Sequence, residues 1–138
     1  MVRSYEKEDI QTIITLGREI NHNFAKLFSV ENLPENEIIF VYEKNRQVIG
    51  FIHLLINLDY LEILNLIVAQ EYRKQGIASV LLDYLLSDTA LDVSRILLEV
   101  RESNVPAINL YKKFNFFVIH ARKNYYGNEN GIVMERRG

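Results

Sequence analysis

A short basic segment, Arg73-Lys74-Gln75-Gly76-Ile77-Ala78, follows an apolar run and opens a helical pattern. The first backbone N–H groups of a helix lack intrahelical acceptors and point outward together. The helix dipole adds positive potential at this end, and Arg73 and Lys74 add two cations. The pattern is typical of a phosphate site, although an ordinary strand-to-helix turn with solvated basic residues would have the same sequence.

Two other phosphate-binding motifs do not fit this segment. The Walker motif requires Gly-Lys followed by Ser or Thr, whereas Gly76 is followed by Ile77. The dinucleotide fingerprint requires three spaced glycines, and the segment contains one. The anion that this turn would hold therefore belongs to another class of ligand.

A carboxylate and a phenol stand out further along the chain. Glu99 lies near the end of the apolar run Ile96-Leu97-Leu98-Glu99-Val100, where loss of hydration would raise its pKa toward a range useful for proton transfer. The alternative is an ion-paired or exposed glutamate at a strand end. Tyr111 lies on an apolar helical stripe, so it is either a core aromatic or a phenol that donates a proton to a leaving group. Asn104 precedes that helix and is a candidate N-cap.

The hydrophobic pattern indicates which elements hold these residues. It predicts one mixed α/β domain, residues 1–138, in the order β-α-α-β-β-β-α-β-α-β-β. Lys44-Asn45-Arg46 reads as a hairpin turn between two of the strands. The strand at about 96–100 should run parallel to the strand at about 60–68, because a helix from about 77 to 87 connects them. A further helix is expected at about 105–114, before two closing strands.

Composition narrows the classes of partner. The chain has a net charge of −2, which argues against a large nucleic-acid surface. It has no cysteine, so disulfides, thiolate metal sites and a covalent thiol nucleophile are excluded, and no metal is expected. No apolar run is long enough to span a membrane, and the N-terminal residues lack a secretory pattern, which predicts a cytoplasmic protein.

Taken together, these segments resemble the GNAT acetyltransferase superfamily. The acetyl-CoA motif of that superfamily, Arg/Gln-x-x-Gly-x-Gly/Ala, matches residues 73–78. Residues 98–104, the pairs Ala107-Ile108 and Leu110-Tyr111, and the tail Arg122-Lys123-Asn124-Tyr125-Tyr126 are similar to the RimI branch, which acetylates the N-terminal alanine of ribosomal proteins. The similarity covers roughly residues 60–136.

The resemblance implies a mixed, mostly antiparallel sheet, splayed between its fourth and fifth strands and flanked by about four helices. It implies acetyl-CoA as cosubstrate and an amine as acceptor, with the donor inserted between the strands that end near Val68 and Arg101. Glu99 corresponds to the general base and Tyr111 to the general acid. The implied cofactor-binding residues are Leu66, Ile67, Val68, Arg73, Lys74, Gln75, Gly76, Ile77, Ala78, Ser79, Asn104 and Tyr111.

Two departures from the branch leave the acceptor open. Residues 24–34 lack tryptophan where the branch has an aromatic Phe-Pro-Trp stretch, and Glu129-Asn130-Gly131 replaces its Glu-Asp-Ala. The acceptor is thus a protein N-terminus or a small amine such as a polyamine, aminoglycoside or amino acid. A non-catalytic acyl-CoA-binding domain is a third alternative, which the joint presence of Glu99 and Tyr111 disfavours. The oligomeric state is left open.

Two further polar residues lie on predicted strands. Glu62 occupies a position where other GNAT enzymes place the carboxylate that acts as general base, so Glu62 is the alternative candidate to Glu99 for that role. Because most strand glutamates are solvated, an exposed Glu62 is the favoured expectation. His53 is expected to be structural.

Overall fold

The computed structural model describes residues 1–88 and 90–138. Its elements follow one another in the predicted order. The strands are β1 Val2–Ser4, β2 Glu37–Lys44, β3 Gln47–Ile56, β4 Leu61–Val68, β5 Arg95–Arg101, β6 Phe117–Arg122 and β7 Gly131–Arg137. The helices are α1 Ile10–Ile20, α2 Phe24–Leu27, α3 Ile77–Ser87 and α4 Val105–Lys113.

The strands form one mixed sheet. Hydrogen bonds join them in the order β1-β2-β3-β4-β5-β7-β6. β4 and β5 run parallel, and Leu61–Ile63 pairs with Ile96–Leu98. Antiparallel ladders join β1 to β2, β2 to β3, β5 to β7 and β6 to β7. The predicted fold class, an α/β fold with a mixed sheet and four helices, is confirmed.

The chain divides into two compact units. The first unit comprises Met1–Leu55 and Asn65–Asp88, and the second comprises Ile56–Leu64 and Thr89–Gly138. The first half of β4 therefore belongs to the second unit, and the second half of β4 belongs to the first unit.

The first unit packs helices on β2 and β3. In α1 the buried residues recur at helical spacing, as Ile13, Ile14, Leu16 and Gly17. Gly17 lies directly against the Phe24 ring, so a side chain at this position would displace it. On α3, Tyr84 meets Phe40 of β2 edge to face at 5.0 Å.

The β2–β3 hairpin has the predicted turn. Asn45 and Arg46 have φ angles of 51° and 65°. Two successive residues with positive φ are characteristic of a type I′ turn, whose twist matches that of the flanking strands. The ladder below the turn is shifted between Tyr42 and Glu43, and His53 of β3 lies opposite Ile39 of β2.

The second unit is centred on β5. β7 pairs with β5 on one side, where Glu99 lies opposite Val133 and Arg101 opposite Gly131. On its other side β7 pairs with β6, where Arg122 also lies opposite Gly131. Gly131 therefore lies between two arginines from neighbouring strands. In the described residues, no helix has the length and apolarity that crossing a bilayer requires.

Candidate active site

The turn between β4 and α3 has the backbone of an anion site. Lys74 has φ 64°, and Gly76, at the N-cap of α3, has φ 81°. Glycine adopts this left-handed conformation without the steric penalty of a side chain. A Cβ built on Gly76 would meet no atom of the described residues within 4 Å. The glycine is therefore required by its backbone angle, and the space in front of it is open.

Backbone amides at this turn remain available to a ligand. Among the described residues, Val80 is the first of this helix whose amide donates to a backbone carbonyl, that of Gly76 at 3.1 Å. The preceding N–H groups, from Gln75 to Ser79, form the positive end of the helix.

The Arg73 side chain has a local partner. Its Nε donates to the Val68 carbonyl at 3.1 Å. This bond ties the turn to the end of β4 and occupies one lone pair of the Val68 carbonyl. Ile67 and Val68 are buried, whereas Leu66 is half-buried.

Glu99 lies in the middle of β5 and is held by an arginine. Its Oε1 accepts a hydrogen bond from Arg122 Nη1 at 2.9 Å. Its Oε2 is buried and, in the part of the chain that the structure describes, has no hydrogen-bond partner. This oxygen lies so close to Gly131 that a Cβ there would overlap with it. Glu99 thus combines one paired oxygen with one buried, free oxygen.

Glu62 lies on the same face of the sheet as Glu99. It pairs with Leu97 across the parallel ladder, two residues before Glu99 on β5. The residue is half-buried, so the expectation of an exposed glutamate is wrong. Burial raises the pKa of Glu62, and the negative charge of Glu99 raises it further.

Tyr111 lies in α4, and Asn104 directly precedes that helix. Tyr111 is 7% exposed, and its ring packs against Phe116 at a centroid distance of 5.4 Å. Burial raises the pKa of the Tyr111 phenol well above its usual range. Asn104 is the predicted N-cap, and its Oδ1 accepts from the Ala107 amide at 3.3 Å.

The segment between β6 and β7 places two arginines on two tyrosine rings. The guanidinium of Arg122 lies 4.1 Å from the centre of the Tyr125 ring, and that of Arg101 lies 4.3 Å from the centre of the Tyr126 ring. Arg101 also pairs with Glu129 at 3.3 Å. The sequence marked the tail from Arg122 to Tyr126 only by resemblance, and the link between Arg122 and Glu99 was missed because nothing in their spacing indicates it.

His53 is the centre of a buried network in the first unit. Its Nε2 lies 2.6 Å from Glu37 Oε1, its Nδ1 lies 3.1 Å from Asn65 Nδ2, and Phe28 packs edge to face on the ring. The residue is fully buried. Burial lowers the pKa of His53, and the Glu37 carboxylate opposes this effect only in part. The ring is thus a neutral link between two polar partners.

The family follows from comparison with known proteins. A family model described as the acetyltransferase (GNAT) family matches residues 7–116. The chain belongs to the GNAT acetyltransferase family. It is 33% identical to an N-alpha-acetyltransferase of Saccharolobus solfataricus, in an alignment that covers 98% of this chain and 91% of that protein.

Other GNAT relatives carry more specific names. A putative ribosomal protein bS18-alanine N-acetyltransferase of Bacillus subtilis is 36% identical, covering 96% of this chain and 92% of that protein. The crystal structure of the ribosomal-protein-S18-alanine N-acetyltransferase from Escherichia coli superposes with a TM-score of 0.87 at 28% identity, covering 99% of this chain and 92% of that one. The chain is therefore an N-acetyltransferase of the GNAT family with RimI-like relatives, as predicted.

Metal ligation is a separate question. Across residues 1–88 and 90–138, no group of three or more His, Asp or Glu side chains is arranged to hold a metal ion. Among the polar residues of the second unit, Glu62, Glu99 and Tyr111 carry carboxylate and phenol groups, which can accept or donate protons.

Proposed function

We propose that this GNAT enzyme transfers the acetyl group of acetyl-CoA to a primary amine at the N-terminus of a protein, with N-terminal alanine as the preferred acceptor. Acetyl-CoA would supply an acetyl group already activated as a thioester. The acceptor class comes from the relatives that are named for N-terminal and bS18-alanine acetylation.

The turn at the start of α3 fits the pyrophosphate of the donor. The amides of Gln75, Gly76, Ala78 and Ser79 would donate to phosphate oxygens, since they lie at the positive end of an 11-residue helix. The open space in front of Gly76 leaves room for a phosphate against the backbone. Lys74 would add charge, and Arg73 would contribute its remaining N–H groups, because its Nε is occupied by Val68.

Glu99 would act as general base and Tyr111 as general acid. An amine is protonated at neutral pH and must lose a proton before it can attack the thioester carbonyl. Glu99 would accept that proton, directly or through a water. As the new N–C bond forms and the C–S bond breaks, Tyr111 Oη would donate its proton to the departing sulfur. The second proton that the nitrogen loses on becoming an amide would return through water to the Tyr111 phenolate, and the proton held by Glu99 would pass to solvent.

The observation that carries this proposal is the free oxygen of Glu99. A buried carboxylate oxygen without a donor is uncommon in a folded protein. It lies in the neighbourhood of a second carboxylate, Glu62, whose pKa is raised. Such a pair of acids is suited to receive a cationic group and to take a proton from it.

A panel of acceptors tests the proposal. Purified enzyme would be given acetyl-CoA with peptides that begin with Ala, Ser, Met or Lys, and separately with polyamines, aminoglycosides and free amino acids, and the free thiol would be followed. We expect turnover with the alanine peptide and its loss when that peptide is already N-acetylated. Turnover of small amines without any peptide turnover would reject the protein acceptor.

A small amine remains the alternative acceptor because of residue 131. Gly131 stands where the resembling branch has alanine, and it adjoins Glu99 and Tyr125. A smaller residue beside the proposed base changes the shape of the acceptor side. The panel separates the two acceptor classes in one experiment.

A further inference from the structure

The Glu99–Arg122 ion pair depends on the glycine between its strands. Arg122 comes from β6 and Glu99 from β5, and β7 lies between these two strands. The β7 residue opposite Arg122 is Gly131, and a Cβ on it would overlap with Glu99 Oε2 and approach the Tyr125 ring to 3.1 Å. The absence of a side chain at residue 131 therefore gives Glu99 its present position, within reach of Arg122 at 2.9 Å.

The charges that face Glu99 come from several elements. β4 supplies the Glu62 carboxylate and β6 supplies the Arg122 guanidinium. β5 itself supplies Arg101, which is paired with Glu129. The segment after β6 supplies the phenols of Tyr125 and Tyr126, and burial and the charge of Glu99 raise the pKa of Tyr126. Arg122 is the cation in direct contact with the carboxylate.

The two side chains of the Glu99–Arg122 ion pair differ in their exposure to solvent. The Arg122 side chain is 48% exposed, whereas the Glu99 side chain is 18% exposed. An ion pair with one solvated partner contributes little to stability. The guanidinium can therefore leave the carboxylate for water at little cost, while Tyr125 still supports it through the ring face.

We propose that Arg122 is a positioning residue, which orients the Glu99 carboxylate and offsets its charge until the ammonium group of the acceptor takes the place of its guanidinium. This inference rests on the proposed role of Glu99 as base. Without a cation at this place, the negative charges of Glu99 and Glu62 would repel each other with nothing in direct contact with Glu99 to offset the repulsion. Arg122 would thus keep the Glu99 carboxylate in position between turnovers. When the acceptor binds, its ammonium group would replace the guanidinium as the cation beside that carboxylate.

The pH dependence of kcat/KM tests the inference. Arg122→Gln should move the acidic limb of the profile to higher pH by about half a unit to one unit, the effect expected from a lost ion pair that is partly exposed. Arg122→Lys keeps the positive charge, so it should return the acidic limb most of the way to its wild-type pH. The matched control is Arg101→Gln, which also removes one positive charge that lies on a tyrosine ring. Because Arg101 contacts Glu129 and not Glu99, the acidic limb of this variant should move less.

Gly131→Ala provides an independent variant. The added Cβ would displace Glu99 Oε2 while Arg122 remains, so kcat/KM should fall several-fold with the melting temperature nearly unchanged. This variant keeps the inference testable if Arg122→Gln does not fold, and full activity in Gly131→Ala would count against it.

The variant Glu99→Gln, measured in the same way, separates the proposed role of Glu99 as base from the proposed role of Arg122 as its positioning residue. If Glu99→Gln is inactive and the acidic limb of Arg122→Gln coincides with that of the wild type, the positioning role of Arg122 is overturned and the proposed base stands. If Glu99→Gln keeps the full rate, the proposed base is wrong, and the role of Arg122 is overturned with it. A limb that moves in Arg122→Gln, returns in Arg122→Lys and moves less in Arg101→Gln supports the inference.

Discussion

Two polar networks in this protein, each containing a carboxylate, differ in how completely their groups are paired. In the first unit, His53 bridges Glu37 and Asn65, both ring nitrogens have partners, and the ring is fully buried. In the second unit, Arg122 holds one oxygen of Glu99, the other oxygen has no hydrogen-bond partner among residues 1–88 and 90–138, and the arginine is half-exposed. The first network is closed to ligands, whereas the second has an unused acceptor and a partner that can leave.

The two networks are expected to serve different purposes, the His53 network in stability and the Glu99–Arg122 network in catalysis. A buried group whose bonds are all satisfied stabilises one arrangement and is costly to disrupt. A buried oxygen without a donor is a cost that the fold carries, and such costs are concentrated at functional sites. We therefore expect substitutions in the closed network to change stability, and substitutions in the open network to change turnover.

The largest expected effect is on turnover. Glu99→Gln and Tyr111→Phe should each lower kcat by about 10²–10⁴-fold, the usual contribution of a placed proton-transfer group. Thiol release under saturating acetyl-CoA measures this effect. The matched control is Glu102→Gln, which changes an exposed glutamate three residues after Glu99 and should retain the rate. A full rate in Glu99→Gln combined with a large loss in Glu62→Gln would transfer the role of base to Glu62.

The next effect concerns the donor. Gly76→Glu should weaken coenzyme A binding by at least about 10-fold, because it adds bulk and negative charge where the phosphates are proposed to lie. Gly76→Ala should cost about 1 kcal/mol of stability through the left-handed backbone angle and alter binding much less. Calorimetric titration of coenzyme A into both variants makes the comparison. Unchanged affinity in Gly76→Glu would refute the phosphate placement.

At the closed network we expect an effect on stability and little effect on turnover. His53→Gln should lower the free energy of unfolding by about 2–4 kcal/mol, since it removes a fully buried link between two polar partners. Urea unfolding measures this loss, and His120→Gln on the exposed face of β6 is the control. If His53→Gln keeps its stability and loses kcat, the contrast between the two networks fails.

The smallest effect is a dependence of stability on pH. The folded-state pKa of His53 is lowered, so the unfolded chain binds more protons as the pH falls below the ordinary histidine value of 6.5. The stabilisation from this group is therefore complete above pH 6.5 and is lost as the pH falls toward the folded-state pKa. Unfolding curves at pH 7.5, 6.5 and 5.5 should show a decline in the wild type that is weaker in His53→Gln.

Much of this molecule was predictable because its signals are local. The hairpin at Asn45 and Arg46, the helix start at Gly76 and the N-cap at Asn104 each depend on a few neighbouring residues, and each was predicted. The order of elements followed from apolar runs and helical spacing in the same way. The GNAT family was predicted because two separate motifs agree in order.

The networks were not predictable in the same way because they depend on strand register. Arg122 reaches Glu99 only because β7 inserts between their strands and places a glycine between them. Glu62 is half-buried because it lies beside Leu97 in a parallel ladder, which no local pattern reveals. His53 finds Glu37 and Asn65 on two different strands. Each case requires knowledge of which residues face one another.

Because β7 lies between β5 and β6, the sheet of the second unit can be completed only after β7 has been synthesised. The residues of β5 and β6 leave the ribosome before those of β7, yet neither strand pairs with the other, and the gap between them is filled by Gly131–Arg137. A chain interrupted before Gly131 would carry every residue proposed here for proton transfer and for donor binding. It would nevertheless expose the unpaired edge of β5 beside Glu99, an edge that other chains can join. Translation errors upstream of this strand are therefore expected to yield aggregating chains, because the last segment of the unit both completes the proposed base and protects its strand.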